Sequence, residues 1–530
     1  MSSTSVLVVG AGPTGLAVAC GLRGAGVEVR VLDRATGPAV TSRALGLQPR
    51  GVEVLARLGA LGDLPARSLP IGQVVVSING RMVGRLAVGR PTRLVRQPGL
   101  LISQAEIEAE LRGRLASLDG EASVQWGREV VGVEEDPSGV TVRLADGETL
   151  RTGWVVGCDG AHSAVRKAAH IGFPGVALVE RFLLADVRAE LPLPRDTVAV
   201  WLRGHEMLAA FPLPGADLWR LMAPAPLTAG GAAQDLTGDA VLDALTGLLE
   251  VHAGYPADVA RGAQWTSTFR FHRRLADTYR QGRVLLAGDA AHIHSPFGGQ
   301  GLNTGIGDAE NLAWKLALVT EGRAGTGLLD SYQAERRPVA AEVLASTSSM
   351  TRLILGDTAV ARLTRDRVFV PLLNRPWVQR RLWEQASQLT LSYRSGPLAS
   401  PRRRSLLRGP GPGDRVPDLV CRGQDGARTQ LHAELGPRWA LLAAPSPTAQ
   451  GCLQLARGWL GADLVVALTP DEQPPRAVLL VRPDAHLAWR GRTSDGLRRW
   501  LAGVLDPSLA GTTPPEPSRP AVGNQEATTR

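Results

Sequence analysis

The stretch of residues 6–15 constrains the fold of this chain more than any other part of the sequence. Positions 6–9 hold four aliphatic residues, which predict a buried parallel strand, and three glycines follow. In this spacing Gly10 permits a tight turn, Gly12 lets a pyrophosphate approach the backbone, and Gly15 lets a helix pack on the strand. Pro13 suits the first helical position, where a missing N–H costs nothing. The pattern predicts a dinucleotide-binding unit.

The residues that follow supply the context that a lone glycine motif lacks. Residues 16–19 open a helix, residues 27–32 form a second predicted strand, and Asp33 comes at the end of that strand. An acid at this distance from the first glycine is typical of a ligand for a ribose hydroxyl. The alternative is a glycine-rich turn beside an ordinary surface acid. The combined pattern favours dinucleotide binding.

Length and composition limit the class of protein. A chain of 530 residues with 44% hydrophobic content is large enough for about two to four domains. No apolar stretch is long enough to span a membrane, and the N-terminal apolar run has no basic flank, so no secretory signal is predicted. The four cysteines lie far apart and form no metal-spaced pair. We therefore expect a cytoplasmic protein with no metal and no disulfide framework.

The charge of the chain argues against a nucleic-acid partner. The formal net charge is +9, and nearly all of the positive charge comes from arginine. The basic residues are scattered among acids, and the one tight run, residues 402–404, lies in a segment rich in proline and glycine. Nucleic-acid binding needs basic residues clustered on one face, so we expect none.

Two further apolar runs also end beside an acid and a glycine. Residues 154–157 precede Asp159 and Gly160, and residues 283–287 precede Gly288 and Asp289. A glycine-rich loop over residues 298–305 follows, and a helix is predicted from near Ile306. The N-terminus of such a helix stabilises negative charge.

Several polar residues near these strand ends have two interpretations. Arg43 suits a bidentate contact with a phosphate, or it is an ordinary solvated arginine. Residues 103–106 form a capping box, so Gln104 stands at the mouth of a helix and contacts either a ligand or water. His292 and His294 have no cysteine or acid at ligand spacing, so loop packing is favoured over a metal site. No G-x-S-x-G elbow with a triad supports hydrolase chemistry.

The pattern changes along the chain and divides it into domains. We predict a nucleotide-binding domain in two parts, a mainly β lid inserted between them, a linker rich in Pro, Gly and Arg, a small α/β module and a disordered tail. The predicted limits are 1–174 for the first part (with a β-hairpin at about 72–100 that joins the lid), 175–274 for the lid, 275–395 for the second part with long helices, 396–417 for the linker, 418–513 for the module and 514–530 for the tail.

The three strand ends, at residues 10–15, 158–160 and 288–289, together resemble the class A flavoprotein monooxygenases, the para-hydroxybenzoate hydroxylase family. The resemblance is strong from residue 6 to about residue 394 and weaker over residues 413–490. Within the family, the chain resembles the aromatic polyketide hydroxylases. The implied fold class is α/β: a Rossmann-like FAD-binding domain, a β-sheet substrate lid and a C-terminal thioredoxin-like α/β domain. Cys421 and Cys452 are isolated, so no dithiol exchange is expected.

The resemblance implies a set of cofactor contacts. FAD would bind non-covalently, with its diphosphate at the first glycine turn, its adenosine ribose at Asp33 and its ribityl chain at Asp289. The family more often has Glu at position 33, so the shorter Asp implies a closer approach or a bridging water. Pro296, facing the reactive edge of the flavin, and Arg43, near the flavin, are the candidate catalytic residues. The implied FAD-binding residues are Gly10, Gly12, Pro13, Thr14, Gly15, Asp33, Arg34, Arg43, Gln104, Asp159, Gly288, Asp289, Pro296, Gly299, Gly301, Leu302 and Asn303.

The resemblance also implies the reaction. NADPH or NADH would serve as co-substrate and dioxygen as oxidant, and the nicotinamide is expected to bind at the surface because the sequence has only one dinucleotide fingerprint. A flavin C4a-hydroperoxide would hydroxylate a polycyclic, phenolic, polyketide-type substrate. Alternatives are Baeyer–Villiger oxidation of a polyketide ketone and modification of an antibiotic. The sequence leaves monomer and dimer open.

Substrate contacts are expected on the lid. Family members that act on simple phenols use lid tyrosines, whereas this chain has no tyrosine before Tyr255, which argues against a small hydroxybenzoate. Large apolar side chains would instead line the pocket, or they form the core of the lid itself. The candidates are Trp201, Phe211, Trp219, Met222 and Phe297.

Overall fold

The computed structural model describes residues 4–39, 45–92, 94–119, 124–204, 206–226, 234–294, 299–355, 359–399, 409–472 and 475–505. The predicted tail and residues 400–408 of the predicted linker lie outside these ranges. Within them, every helix is too short or too polar to cross a lipid bilayer.

The first part of the chain builds a parallel sheet around β1. Residues 6–9 of β1 pair in parallel with β2 on one side and with β11 on the other, and the aliphatic side chains of β1 are almost fully buried. The strand order is β17-β18-β11-β1-β2-β8, and β9 and β10 extend it as an antiparallel ribbon from β11. The elements are β1 (Thr4–Val9), α1 (Pro13–Gly24), β2 (Val29–Leu32), β3 (Leu45–Leu47), α2 (Pro49–Leu58), α3 (Leu64–Arg67), β4 (Leu69–Pro70), β5 (Gln73–Ile78), β6 (Arg81–Ala87), β7 (Leu100–Ser103), α4 (Gln104–Asp119), β8 (Val124–Gln125), β9 (Val130–Asp136), β10 (Gly139–Leu144), β11 (Thr149–Gly157) and α5 (Ala164–Ala168).

A second sheet forms the lid. The hairpin β5–β6 turns at Asn79 and Gly80, both with positive φ (50° and 76°), as this dipeptide requires. Strand β5 joins the sheet beside β13, and the order is β19-β16-β12-β15-β14-β13-β5-β6. Helix α6 packs on one face of this sheet. The elements are β12 (Gly175–Ala189), β13 (Thr197–Arg203), β14 (Glu206–Pro212), β15 (Leu218–Pro224), α6 (Asp239–Ala253) and β16 (Ala260–Leu275).

The chain then returns to the first sheet and continues into helices. The helix predicted from near Ile306 begins earlier, at Gly301. The physical reason is tertiary packing: a Cβ on Gly305 would lie 2.3 Å from Thr14 Oγ1, so this turn needs glycine despite its low helix propensity. The elements are β17 (Arg280–Gln281), β18 (Val284–Leu286), β19 (His292–Ile293), α7 (Gly301–Thr320), α8 (Asp330–Leu355), α9 (Ala359–Thr364), a π-helical turn (Arg365–Phe369), α10 (Val370–Leu373) and α11 (Pro376–Ala386).

The described residues of 409–505, here named the C-terminal module, form a six-stranded sheet with three helices. The order is β21-β20-β23-β22-β24-β25; β22 and β23 are parallel, while β24 and β25 are antiparallel to their neighbours, as in a thioredoxin-like core. The elements are β20 (Val420–Arg422), β21 (Arg428–Gln430), α12 (Leu431–Glu434), β22 (Trp439–Leu442), α13 (Pro447–Leu460), β23 (Val465–Pro470), β24 (Val478–Val481), β25 (Leu487–Gly491) and α14 (Ser494–Leu505). Trp439 of the module packs edge-on against Trp314 of α7, with ring centroids 5.1 Å apart.

Candidate functional site

The three predicted strand ends meet at one edge of the parallel sheet. Strands β1, β11 and β18 run side by side in parallel, so the residues that follow each of them lie together. Ligands of open α/β sheets bind at this carboxyl edge. A cavity of about 1120 Å³ begins there and extends between the sheet edge and the lid, reaching the helices α8 to α11.

The glycines of the first turn have different roles. A Cβ on Gly10 would lie 2.4 Å from the Cys158 carbonyl oxygen, and a Cβ on Gly15 would lie 1.9 Å from the Gly10 carbonyl oxygen, so both are required by packing. A Cβ on Gly12 would meet no atom within 4 Å. Gly12, Pro13 and Thr14 line the cavity at the N-terminus of α1. This open, electropositive cradle fits the diphosphate of FAD.

Asp33 directly follows the last residue of β2 and lies next to this cradle. Its carboxylate accepts hydrogen bonds from the backbone N–H groups of Ala11 (2.7 Å) and Ala35 (2.8 Å). These bonds tie β2 to the glycine turn. Asp33 does not line the cavity, and Arg34 is exposed, so their contact with FAD stays a prediction.

Gln104 reaches the cavity from the start of α4. Ser103 caps this helix by accepting from the Glu106 N–H (3.4 Å), which agrees with the predicted capping box. The Gln104 amide donates to Glu108 Oε1 (2.8 Å), and burial raises the pKa of Glu108. Gln104 therefore lies where the cavity borders α4, held by a buried acid.

Asp159 caps the short helix α5 rather than facing the cavity. Its Oδ2 accepts from the N–H groups of Ala164 (2.6 Å) and Val165 (3.2 Å), while its buried Oδ1 has no protein partner. The cavity wall here is formed by Gly160, Ala161 and His162. Asp159 shapes this wall through the helix that it caps, and direct contact with FAD stays a prediction.

Asp289 lines the cavity, and its side chain is exposed to it. The surrounding protein removes its carboxylate from bulk water and raises its pKa above the ordinary value for an aspartate. Gly288 before it has φ +61°, and a Cβ there would lie 2.6 Å from Thr14 Oγ1. The Gly288–Asp289 turn thus fits closely against α1 and points one acid at the cavity.

Replacing Asp289 with alanine is expected to weaken FAD binding by roughly 1–3 kcal/mol, because a hydrogen bond to a buried ligand group is lost. Titration of the apoprotein with FAD, followed by flavin fluorescence, measures the effect. Asp277, an exposed acid of the preceding segment, supplies the control Asp277→Ala. Equal FAD affinity of the Asp289 variant and the wild-type protein would remove Asp289 from the site.

The first turn of α7 forms the part of the wall next to the Gly288–Asp289 turn. Gly299, Gly301 and Leu302 line the cavity, and the positive end of the helix dipole points toward it. Asn303 does not line it: its amide donates to the Gly299 carbonyl (2.9 Å), and its oxygen accepts from the Gln48 N–H (2.8 Å). Asn303 therefore fixes two loops of the wall. Arg43, Pro296 and Phe297 lie outside the described residues, and their roles stay predictions.

The lid presents different side chains on its two faces. Phe211 and Met222 line the cavity, and their contact with a substrate stays a prediction. Trp201 and Trp219 do not line it: both are buried on the other face of the sheet, in the core formed with α6, which is the alternative that the sequence left open. The physical reason is the two-residue period of a strand, which turns Trp219 away from the cavity when Met222 and Arg220 face it.

Many residues of the cavity wall were not among the predicted site residues, and two of them, Arg220 and His294, are polar groups with defined contacts. Arg220 is the buried cation of the lid wall, and its guanidinium donates to both oxygens of Asp186 (2.6 and 2.8 Å). His294 lines the cavity beside Gly301 and stacks on His292, with ring centroids 5.5 Å apart. Burial, and then the neighbouring His292, lowers the pKa of His294 to about 3, so its imidazole is neutral. Arg220 could have been predicted, because alternate residues of a strand share a face and Arg220 lies two positions from Met222. No signal in the sequence distinguishes His294 from a histidine that only packs in a loop.

Comparison with known proteins identifies the family. The sequence matches the FAD binding domain family over residues 3–347 and the aromatic-ring hydroxylase C-terminal family over residues 409–508. It is 37% identical over 515 residues to rifampicin monooxygenase of Streptomyces venezuelae, covering 96% of this chain and 99% of the relative. It is 35% identical over 529 residues to 6-methylpretetramide 4-monooxygenase of Streptomyces rimosus, covering 92% and 91%.

A solved structure agrees with these matches. The crystal structure of CabE, an aromatic hydroxylase from angucycline biosynthesis, is 32% identical, with a TM-score of 0.76 over 94% of this chain and 99% of that chain. The predicted fold class is thereby confirmed, including the lid and the C-terminal α/β domain. The chain belongs to the FAD-dependent aromatic-ring hydroxylases and is a flavin-dependent monooxygenase.

Proposed function

We propose that this protein uses NADPH or NADH to hydroxylate a polycyclic, phenolic aromatic substrate of the polyketide type. The observation that carries the proposal is the single cavity of about 1120 Å³, which joins the FAD cradle to an apolar lid. This volume exceeds the roughly 300–1,000 Å³ of an ordinary small-molecule pocket, so it suits a flavin ring beside a large substrate.

The residues of the chain bind, orient and exclude water. FAD, when bound, would supply the redox chemistry that links oxidation of NAD(P)H to the transfer of one oxygen atom of dioxygen to the substrate. The first turn of α7 would stabilise the negative charge of the reduced flavin through its dipole. His294 adds no positive charge and no acidic proton to this wall, because its imidazole is neutral.

The lid side of the cavity matches a large apolar substrate. Aliphatic and aromatic side chains from the strands of the lid sheet and from the helices near residues 369–386 form its walls, among them Phe211, Met222 and Phe369. Arg220 offers one cationic hydrogen-bonding group in this apolar surface, and it suits an ionised or polarised oxygen of a phenol. The relatives whose names denote monooxygenases of tetracycline precursors and of rifampicin support a multi-ring substrate.

The nicotinamide co-substrate would bind without a domain of its own. Within the described ranges, the strand–glycine turn–helix unit at residues 4–24 is the only one of its kind, and the FAD diphosphate occupies it in our assignment. NAD(P)H would therefore dock transiently at the protein surface.

Modification of an existing antibiotic is the second candidate function. The 37% identity with rifampicin monooxygenase along nearly the whole chain favours it. Turnover of a rifamycin, with no turnover of tetracyclic or angucyclic phenols, would select this candidate.

The proposal is tested with the FAD-loaded protein by recording NAD(P)H oxidation and oxygen uptake together. We expect both rates to rise when a polycyclic phenol is added, with one hydroxylated product for each NAD(P)H consumed. Asp289→Ala is the matched variant and is expected to lose the stimulated rate as FAD dissociates. A flavin-loaded protein whose NAD(P)H oxidation responds to none of the phenols would contradict the proposal.

A further inference from the structure

A buried chain of polar contacts runs from the C-terminal module to the FAD cradle. It starts behind the Gly288–Asp289 turn, where Asp308 of α7 accepts hydrogen bonds from the Gly288 N–H (3.2 Å) and from His292 Nε2 (2.6 Å). Burial alone would raise the pKa of Asp308, but His292 and Arg336 hold it below its ordinary value. Asp308 is therefore an ionised carboxylate directly behind the cavity wall.

Arg336 of α8 is the centre of the chain. Its Nε donates to Asp308 (2.8 Å), and its Nη2 donates to the backbone oxygen of Thr304 in the first turn of α7 (3.0 Å). Its Nη1 donates to the hydroxyl of Tyr393 (2.9 Å). One guanidinium thus holds both the carboxylate that supports the Gly288–Asp289 turn and the first turn of α7, which are two neighbouring parts of the cavity wall.

Tyr393 connects Arg336 to the C-terminal module. Its ring lies 4.3 Å from the ring of His486, measured between centroids, and the guanidinium of Arg482 lies 5.2 Å from its centre. Its backbone N–H donates to the carbonyl of Gly413 (2.7 Å). The module therefore determines where the Tyr393 hydroxyl lies.

A second branch ties the same helix to the module. Glu335, the neighbour of Arg336 on α8, accepts from Arg482 (2.7 and 2.9 Å) and from Lys315 (2.8 Å). Arg482 also pairs with Asp484, and all four side chains are almost completely buried. Buried ion pairs contribute little net stability compared with apolar packing, so stabilisation of the fold is a poor explanation for this polar interface. These pairs instead fix the position of α8 relative to the module.

We propose that the C-terminal module is a positioning element of the FAD site, and that Tyr393 and Arg336 transmit its position to these two parts of the cavity wall. The module itself supplies no catalytic residue in this proposal. It fixes Tyr393, Tyr393 fixes Arg336, and Arg336 holds the first turn of α7 and, through Asp308, the Gly288–Asp289 turn.

The test removes one hydroxyl and leaves every charge in place. Tyr393→Phe frees one N–H of Arg336, so we expect FAD binding to weaken roughly five- to tenfold. Tyr332→Phe is the matched control, because Tyr332 lies on α8, is fully buried and donates to the Leu286 carbonyl (2.8 Å), while the hydrogen bonds of Arg336 go to Asp308, Thr304 and Tyr393. It is expected to lose similar thermal stability but to change the FAD dissociation constant less than twofold. Equal FAD affinities of the two variants would overturn the proposal.

Hydrogen exchange gives a second measurement, and its result would not depend on FAD if the module only stabilised the fold. Coupling between two sites is reciprocal, so FAD added to the apoprotein should slow amide exchange at residues 478–491 of the module. Residues 420–430, at the far edge of the module sheet, serve as the internal reference. In Tyr393→Phe the protection of residues 478–491 is expected to disappear while FAD still binds. Protection that is absent in the wild-type protein, or equal in both segments, would contradict the proposal.

Discussion

Gly12→Val is expected to weaken FAD binding by at least about a hundredfold, about 2.7 kcal/mol, while the apoprotein keeps its stability. The reason is the open space beside Gly12: a Cβ there meets no protein atom within 4 Å, but in our assignment the valine side chain would occupy the place of the diphosphate. The FAD dissociation constant from fluorescence titration and the melting temperature of the apoprotein measure the two effects separately.

Two other glycines of the same unit are the controls. Gly24 also has no atom within 4 Å of an added Cβ and stands at the far end of α1, so Gly24→Val should leave FAD affinity unchanged. Gly15→Ala would place a Cβ 1.9 Å from the Gly10 carbonyl oxygen, so it should lower the melting temperature of the apoprotein instead. Normal FAD affinity in a folded Gly12→Val protein would show that the diphosphate lies elsewhere.

The second large effect is expected from substitutions in the lid, where the result depends on which face of the sheet the residue occupies. Trp219 is 1% exposed and packs with α6, so Trp219→Ala should lower the free energy of unfolding by about 3–5 kcal/mol. Phe211 lines the cavity, so Phe211→Ala should lower kcat/KM for a polycyclic substrate by about ten- to a hundredfold. Chemical denaturation followed by circular dichroism and steady-state kinetics give the two numbers.

Each variant is the control for the other. We expect Phe211→Ala to retain most of the folding stability, and a folded Trp219→Phe protein to retain kcat/KM. If Trp219→Phe changes substrate selectivity at normal stability while Phe211→Ala does not, the assignment of the two lid faces is wrong.

The parts of the site that could be predicted are those with local signals. The strand ends at Gly10, Gly160 and Gly288 follow apolar runs directly, and parallel pairing brings such ends to one sheet edge. The hairpin at Asn79 and Gly80 is set by its own dipeptide. In these cases the interaction that determines the structure lies within a few residues of the signal.

The parts that could not be predicted depend on distant neighbours. Trp219 and Met222 are both large apolar residues of one strand, and only the placement of α6 decides which of them faces the cavity. The early start of α7 depends on the contact between Gly305 and Thr14. Arg336 and Tyr393 are separated from the glycine turns by long stretches of sequence, so neither spacing nor composition indicates that they hold the cavity walls.

Analysis of the products formed under oxygen-18 gas tests most directly the central claim, which is that the protein hydroxylates a polycyclic phenol. The FAD-loaded protein is incubated with NADPH, labelled dioxygen and a panel of anthraquinone and angucycline phenols, and the products are analysed by mass spectrometry and NMR. We predict one labelled oxygen on a ring carbon ortho or para to the phenol. A labelled lactone ring oxygen would contradict hydroxylation in favour of Baeyer–Villiger oxidation. Unlabelled substrates, with one hydrogen peroxide formed from dioxygen for each NADPH oxidised, would contradict a polycyclic aromatic substrate.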